Sequence, residues 1–363
     1  MKYDKKELCL IWLDSFLGLE YKFKRELLSL IEEKPDIPTL LETTKDYLTA
    51  SVGESEYRTL KLSANREYLE KLLVDYQNKG VKIVTILSSD YPKAFNDIEC
   101  PPLVIYYKGD ISLFKQELFA IVGSRKSLPS ALAVAKNYTE EIIDAGFVPV
   151  TGIAEGVDSK VLTTALEKNG KAISIVAGGL DHIYPANHAE LVDKITENGL
   201  VISEYPPSTV PKPFNFPVRN RLISALARGV LVVSAGLKSG TMYTAGYAVE
   251  YSKDLFAVPY GVGVPSGAGC NELIKKGALL TDTPKDILDF YGKKKEKKVQ
   301  QFSSEELEII NTLSNGAQHI EKICATLKKR VFEITPLLSI LEIKGFVSKS
   351  GNVYQLTRND LEA

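Results

Sequence analysis

Residues 118–126 read LFAIVGSRK, a short apolar run that ends in glycine, serine and two basic residues. Six other short apolar runs occur at 103–107, 147–150, 172–176, 200–203, 230–234 and 255–258. Helix-length amphipathic segments separate several of them, near 130–145, 157–169, 187–198, 218–228 and 241–252. Continuous apolar strands that alternate with helices are typical of a parallel sheet covered on both faces. The pattern therefore predicts an α/β fold.

The regions on either side of this alternation have different patterns. Residues 1–98 carry apolar residues at helical spacing and predict a helical N-terminal domain, whereas 99–292 form the α/β core. The lysine-rich stretch 293–301 predicts a solvated basic linker. Residues 302–363 predict three helices and a hairpin, which is the outline of a winged helix.

The composition is that of an ordinary globular protein. The 363 residues are 44% hydrophobic and 25% charged, and 45 Lys and Arg balance 46 Asp and Glu to a net charge of −1. This balance excludes a polybasic protein, so any contact with nucleic acid must come from a local patch. The sequence contains neither a signal peptide nor an apolar run of about 18 residues, which predicts a cytoplasmic protein without a membrane span.

The cysteines and histidines carry no recognisable metal pattern. Cys9, Cys100, Cys270 and Cys324 are far apart in sequence, which excludes zinc spacing and a disulfide framework. His182 and His188 lack the spacing of a helical metal pair. We therefore predict that the protein has no metal site and needs no cofactor.

Glycine recurs with Ser, Thr, Arg or Lys directly after four of the predicted strands. These segments are 123–126 (GSRK), 151–158 (TGIAEGVD), 177–185 (AGGLDHIYP) and 235–241 (AGLKSGT). The carboxyl ends of parallel strands lie at one sheet edge, where glycine admits a ligand close to the backbone and helix starts bind anions. The sequence therefore predicts a phosphate-binding crevice, although it contains neither a dinucleotide fingerprint nor a P-loop.

A basic segment opens the helix predicted near residue 218. Residues 212–221 read KPFNFPVRNR, and basic groups at a helix start oppose the helix dipole unless an anion offsets them. Phe214, Phe216 and Tyr205 are close in sequence to this cluster. All three suit stacking on unpaired bases, and burial in the core is the alternative for the two phenylalanines.

We find no sequence pattern of a catalytic centre. Asp181 and His182 are the residue types of a catalytic triad with Ser124 or Ser239, but neither serine lies in a nucleophile elbow, which argues against a triad. Asp158 and Glu250 are single carboxylates without a partner that the sequence identifies. The sequence therefore predicts a binding protein and not an enzyme.

Six motifs in a fixed order resemble the DNA-processing protein A (DprA/Smf) family. They are AIVGSR at 120–125, TGIAEGVD at 151–158, GGLDHIYP at 178–185, FPVRNR at 216–221, SGTMYTA at 239–245 and GCNELI at 269–274. The resemblance implies a Rossmann-like core that binds single-stranded DNA, in a homodimer that protects incoming DNA and helps to load the RecA recombinase during natural transformation. Single-strand-binding protein is a further candidate partner.

The strand-end pattern and the resemblance together define the expected DNA site. Its predicted residues are Gly123, Ser124, Arg125, Lys126, Gly152, Gly178, Gly179, Arg219, Asn220, Arg221, Lys238, Ser239, Gly240 and Thr241. By resemblance, Arg125 holds a backbone phosphate and Arg219 and Arg221 line the same pocket. The sequence departs from the family at Ala186, where relatives often have lysine, and at Ser234, where they often have glutamate.

Two other functions remain open at this point. The sheet also resembles that of nucleotide-processing phosphoribohydrolases, which suits a nucleotide-binding sensor or enzyme, but Thr244 stands where their catalytic glutamate is expected. The other is a transcription factor that binds DNA through the predicted winged helix at 302–363. The third helix of that region begins Val331-Phe332-Glu333-Ile334, which favours protein interaction or an auxiliary role over the reading of base edges.

Overall fold

The computed structural model describes residues 3–16, 21–293, 302–314, 316–343 and 346–357. The chain divides into two compact units, Met1–Lys295 and Glu296–Ala363. Most of the predicted linker, from 294 to 301, lies outside the described residues. No helix of the described residues is long and apolar enough to cross a membrane.

Six helices form the N-terminal part of the first unit. They are α1 (Lys5–Asp14), α2 (Tyr21–Glu33), α3 (Ile37–Thr43), α4 (Lys45–Val52), α5 (Glu54–Ser63) and α6 (Arg66–Asn78). Asp4 and Glu7 form a capping box that fixes the start of α1. Trp12, on α1, is 1% exposed and donates a hydrogen bond from Nε1 to Ser63 Oγ at 3.1 Å. These helices share a hydrophobic core with Tyr106 and Val201 of the sheet.

A nine-stranded sheet forms the centre of the first unit. Its strands are β1 (Lys82–Thr85), β2 (Val104–Gly109), β3 (Leu118–Gly123), β4 (Val148–Thr151), β5 (Ile173–Ile175), β6 (Leu200–Ser203), β7 (Gly229–Ser234), β8 (Asp254–Ala257) and β9 (Leu279–Leu280). Their order is β1-β2-β6-β5-β4-β3-β7-β8-β9. Every neighbouring pair in the part of the sheet ordered β6-β5-β4-β3-β7-β8-β9 is parallel, whereas β2 is antiparallel to both of its neighbours, β1 and β6.

Helices cover both faces of the sheet. They are α7 (Pro129–Asp144), α8 (Val157–Glu167), α9 (Ala189–Asn198), α10 (Asn215–Leu226), α11 (Thr241–Glu250), α12 (Ala268–Lys275) and α13 (Pro284–Phe290). The chain proceeds from β3 through β4 and β5 to β6, and then returns across β3 to β7. Such a reversal opens a crevice beyond the carboxyl ends of the strands, where α/β proteins bind ligands. The carboxyl end of β3 lies at this point.

The predicted α/β fold with a mostly parallel sheet is confirmed. The run at 103–107, predicted as part of a parallel sheet, forms the antiparallel β2 instead. The sequence could not show this, because a buried strand has the same apolar composition whether it is parallel or antiparallel to its neighbours. Gly109 closes β2 with φ +102°, and a Cβ there would overlap the backbone carbonyl of Gly199. That close approach requires glycine.

The second unit has its own small core. Its elements are α14 (Ser304–Leu313), β10 (Gln318–His319), α15 (Ile320–Leu327), α16 (Val331–Ile343), β11 (Val347–Ser350) and β12 (Val353–Leu356). The three strands are antiparallel in the order β10-β12-β11. Ile309, Ile323 and Leu338 pack together in its interior. Three helices and a hairpin occur as expected, while the winged-helix assignment and the boundaries at 98, 292 and 301 stay predictions.

Candidate nucleic-acid interface

A cleft of about 680 Å³ opens beyond the carboxyl end of β3, between the loop that follows this strand and the helices α10 and α11. Nine of the fourteen predicted site residues line it. They are Gly123, Ser124, Arg125, Lys126, Arg219, Asn220, Ser239, Gly240 and Thr241. The topology therefore brings together segments that are more than 100 residues apart in sequence.

The loop after β3 is held tightly by the start of α8. A Cβ at Gly123 would overlap the side chain of Val157, and one at Gly156 would overlap the backbone carbonyls of Ser124 and Arg125. Gly156 has φ +83°, which side chains rarely adopt. Ser127 Oγ donates a hydrogen bond to the Ser124 carbonyl at 2.8 Å. The two glycines thus allow the basic loop to approach α8 and fix its position.

An aromatic wall flanks the exposed arginine of this loop. The Arg125 guanidinium lies 4.7 Å from the centroid of the Phe216 ring, a cation–π distance. Phe216 in turn makes an edge contact with Tyr184 at 5.7 Å between ring centroids. Phe214 lies outside the core with 64% exposure, and Phe216 is partly buried in the cleft wall. The wall offers π faces next to a cation.

Arg219 places a fixed positive charge in the interior of the cleft. Its side chain is 3% exposed, Nη1 donates to the carbonyl of Ile175 and Nε donates to Asn220 Oδ1 at 3.1 Å. Burial lowers the pKa of Arg219, and the carboxylate of Asp158 opposes that change. Burial likewise raises the pKa of Asp158, which Arg219 opposes. The two groups stabilise each other's charge where water is excluded.

The start of α11 forms the third side of the cleft. Ser239 Oγ accepts a hydrogen bond from the Thr241 amide at 3.3 Å, and Gly240 precedes the helix without a capping side chain. Asn220 Nδ2 donates to the Gly240 carbonyl at 3.3 Å, which links α10 to this turn. Amides at the start of a helix favour negative charge. The cleft therefore combines backbone donors with arginine.

Comparison with known proteins identifies the family. The family model described as DNA recombination-mediator protein A matches residues 82–292. The chain belongs to the DprA/Smf family. DNA processing protein DprA of Bacillus subtilis is 34% identical over 253 residues, which cover 69% of this chain and 84% of the relative. The predicted family is thus confirmed.

Two solved structures of DprA proteins are similar to this DprA/Smf chain. DNA processing protein A from Streptococcus pneumoniae aligns with a TM-score of 0.67 at 28% identity, over 80% of this chain and 98% of that one. The Helicobacter pylori protein, described with a unique single-stranded DNA binding mode, aligns with a TM-score of 0.53 at 33% identity, over 58% and 95%.

Five predicted site residues of the DprA/Smf chain do not line the cleft. Lys238 is exposed outside it, while Gly152 lies behind it, where a Cβ would meet Asp158 and Arg219. Gly178 packs against Pro211 and Gly179 against the backbone carbonyls of Pro206 and Pro207, so both allow the 206–211 segment to approach closely.

Arg221, the fifth of these residues, faces a second cavity. It pairs with Glu204, and burial lowers its pKa while Glu204 raises it, with a net increase. The helix α10 begins at Asn215 and not near 218, so both arginines lie beyond its first turn. Arg219 and Arg221 are two residues apart, about 200° around the helix, and therefore point to different sides.

The cleft also contains residues that sequence reasoning assigned no role in it. Asp158, Tyr184 and Thr244 all line it, and Thr244 is only 2% exposed. Each falls within one of the six family motifs, which was the available signal. Their function within the motif depends on which way each side chain points, and only the structure shows this.

Proposed function

We propose that this chain binds single-stranded DNA in the cleft and acts in DNA recombination. One observation carries the proposal, namely the exposed Arg125 stacked on Phe216 directly beside the buried charge of Arg219. Arginine and helix-start amides suit backbone phosphates, and aromatic faces suit unpaired bases. The Helicobacter pylori relative, with its single-stranded DNA binding mode, supports the same assignment.

The arrangement favours a single strand over a duplex. Base pairs in a duplex stack on one another, so their faces are not accessible to Phe216 or Tyr184, whereas an unpaired base can stack on either ring. We infer that phosphates contact the loop after β3 while bases contact the wall.

Substitution of Arg125 tests this assignment. Arg125→Ala should weaken the binding of a fluorescent oligo-dT about tenfold and reduce the salt dependence by about one counterion, since one phosphate contact is lost. The matched control is Arg228→Ala, because Arg228 also stacks on an aromatic ring, Tyr291 at 4.5 Å, but lies outside the cleft. Equal affinity of the Arg125 variant and the wild type would refute the site.

We further propose the more specific properties that the family resemblance implies. The chain is then a cytoplasmic homodimer without catalytic activity that protects incoming DNA and helps to load RecA recombinase during natural transformation. The assembly of RecA on oligonucleotides coated with single-strand-binding protein should be faster when the chain is present. Sedimentation of the chain alone would show whether it is a dimer, and a nuclease challenge would show protection.

Nucleotide processing is the competing function for the same cleft. Thr244 lines the cleft and stands at the sequence position where the phosphoribohydrolase motif has its catalytic glutamate, and a threonine hydroxyl is a poor general base. We therefore expect no release of free base when the chain is incubated with nucleoside monophosphates. Steady release that is lost in the Arg219→Ala variant would favour an enzyme instead.

A further inference from the structure

A second cavity, of about 480 Å³, lies against the other side of α10, where Arg221 points. Its walls come from the N-terminal helices, the 99–103 segment, residues 204–206 and the helices α10 and α11. We refer to it as the tyrosine cavity, after Tyr205, Tyr247 and Tyr251 in its lining. Its size falls in the range of small-molecule sites.

The lining of the tyrosine cavity includes a buried hydrogen-bond donor and a buried acceptor that both lack a partner among the described residues. Arg221 is 7% exposed and uses Nη2 to pair with Glu204, but its Nη1 has no partner among the described residues. The second carboxylate oxygen of Glu204, Oε1, is buried and also has no partner among them. Buried polar groups are nearly always hydrogen-bonded. An adjacent donor and acceptor match a ligand edge that carries the complementary pair.

The tyrosines add flat apolar surfaces to this edge. Tyr247 and Tyr251 stack with ring centroids 5.8 Å apart and an interplanar angle of 19°. Both rings are partly buried and line the cavity together with Tyr205. Aromatic side chains of this kind bind flat rings by stacking. The ligand should therefore be planar as well as polar along one edge.

The charges around the tyrosine cavity exclude a phosphate. Four carboxylates line it, those of Asp14, Glu99, Glu204 and Glu250, against the two cations Lys24 and Arg221. Asp14 and Lys24 neutralise each other across 2.8 Å. The remaining excess of negative charge repels an anion but not a neutral ring.

We propose that the tyrosine cavity binds a nucleobase. Every base presents a neighbouring donor and acceptor along one edge, which fits Glu204 and Arg221, and a face that stacks on Tyr247. A free nucleoside and an unpaired base of a bound strand offer the same chemistry. Only the second source rests on the proposed DNA binding.

Calorimetric titration of the full chain with each of the four deoxynucleosides tests the proposal. At least one should bind saturably, and Tyr247→Leu should weaken it about tenfold because the stacking face is lost. Tyr243→Leu is the matched control, since Tyr243 lies on the same helix, is 57% exposed and does not line the cavity. The proposal is overturned if none of the four nucleosides binds saturably, or if the two variants lose equal affinity. It is also overturned if spermidine, a cation that suits the negatively charged lining, binds and the nucleosides do not.

A second measurement separates the two sources and isolates this proposal from the function proposed above. If a base of the strand enters the cavity, saturating nucleoside should weaken oligo-dT binding and Tyr247→Leu should do the same. If a free nucleoside is the ligand, oligo-dT binding should be unaffected by either. Arg125→Ala should leave nucleoside binding intact in both cases, so loss of oligonucleotide affinity in that variant does not count against the tyrosine cavity.

Discussion

Phe216 is the residue at which the two contact types of the cleft meet, since its ring lies between Arg125 and Tyr184. Phe216→Leu keeps an apolar side chain but removes the stacking face, and we expect a loss of about 1–3 kcal/mol in the binding of oligo-dT. Phe214→Leu is the matched control, because Phe214 is two residues away and does not line the cleft. Fluorescence anisotropy measures both. A similar loss in the two variants would contradict the assignment of the wall.

Asp158 should tune the affinity of the cleft with pH. Removing its charge in Asp158→Asn leaves Arg219 without its nearest counter-charge and should strengthen oligo-dT binding near neutral pH by about 1 kcal/mol. Because burial raises the pKa of Asp158, the wild type takes up a proton there above the usual pH range of aspartate.

The difference in affinity between wild type and Asp158→Asn should therefore narrow as the pH falls towards the folded-state pKa of Asp158, which burial places above that of a free aspartate. A difference that stays constant as the pH is lowered would refute the coupling. The same raised pKa means that the folded chain holds this proton more tightly than the unfolded one. Protonation of Asp158 thus increases the free energy of unfolding as the pH falls through its folded-state pKa, and that gain is lost as the pH rises.

The sequence predicted which segments come together at the cleft, but not the direction of individual side chains. Residues after the strands converge because parallel strands end at one edge, and this rule correctly brought Ser124 and Ser239 together. It could not separate Arg219 from Arg221, since their opposite directions depend on where α10 begins and on which of its faces packs on the sheet. Gly152 and Gly178 met the pattern for a ligand site but serve close packing.

At the scale of elements, the turn into α8 connects fold stability with the site. Gly156→Ala introduces a side chain at φ +83° and against the carbonyls of Ser124 and Arg125, and should cost about 2–4 kcal/mol of unfolding free energy. It should also weaken oligo-dT binding, because the basic loop must move.

Gly263→Ala is the matched control for this turn. Gly263 has φ +82°, but a Cβ there meets no atom within 4 Å. We expect a cost of about 1–2 kcal/mol from the backbone alone and unchanged oligonucleotide affinity. Urea unfolding measures both costs. Weakened binding in this control would show that the effect of Gly156→Ala is general and not local.

The elements that the sequence failed to predict are short or lie outside the repeating pattern. The strand β9 has only two residues, and β1 lies within 1–98, where the spacing of apolar residues is mostly helical. The helix α13 did carry a signal, a capping box of Thr283 and Asp286 with Pro284 between them. The direction of β2 depends on its neighbours in the sheet, and these are not encoded in its own residues.

At the scale of the whole molecule, the two units have separate hydrophobic cores. A chain that ends at residue 295 should therefore fold and bind oligo-dT within about threefold of the full chain, since the residues that line the cleft all belong to the first unit. Anisotropy titrations of both chains in the same salt series compare them. A large loss of affinity would place a main part of the DNA contact on the second unit.

Trp12 has a practical consequence for experiments on this molecule. It is the only tryptophan of the sequence and lies at 1% exposure in the core that joins the N-terminal helices to the sheet. Intrinsic fluorescence excited at the indole therefore reports on the first unit alone, and its emission should shift to longer wavelength when that core opens. The second unit contains no tryptophan, so a transition seen by circular dichroism without a change in indole emission reports on the second unit.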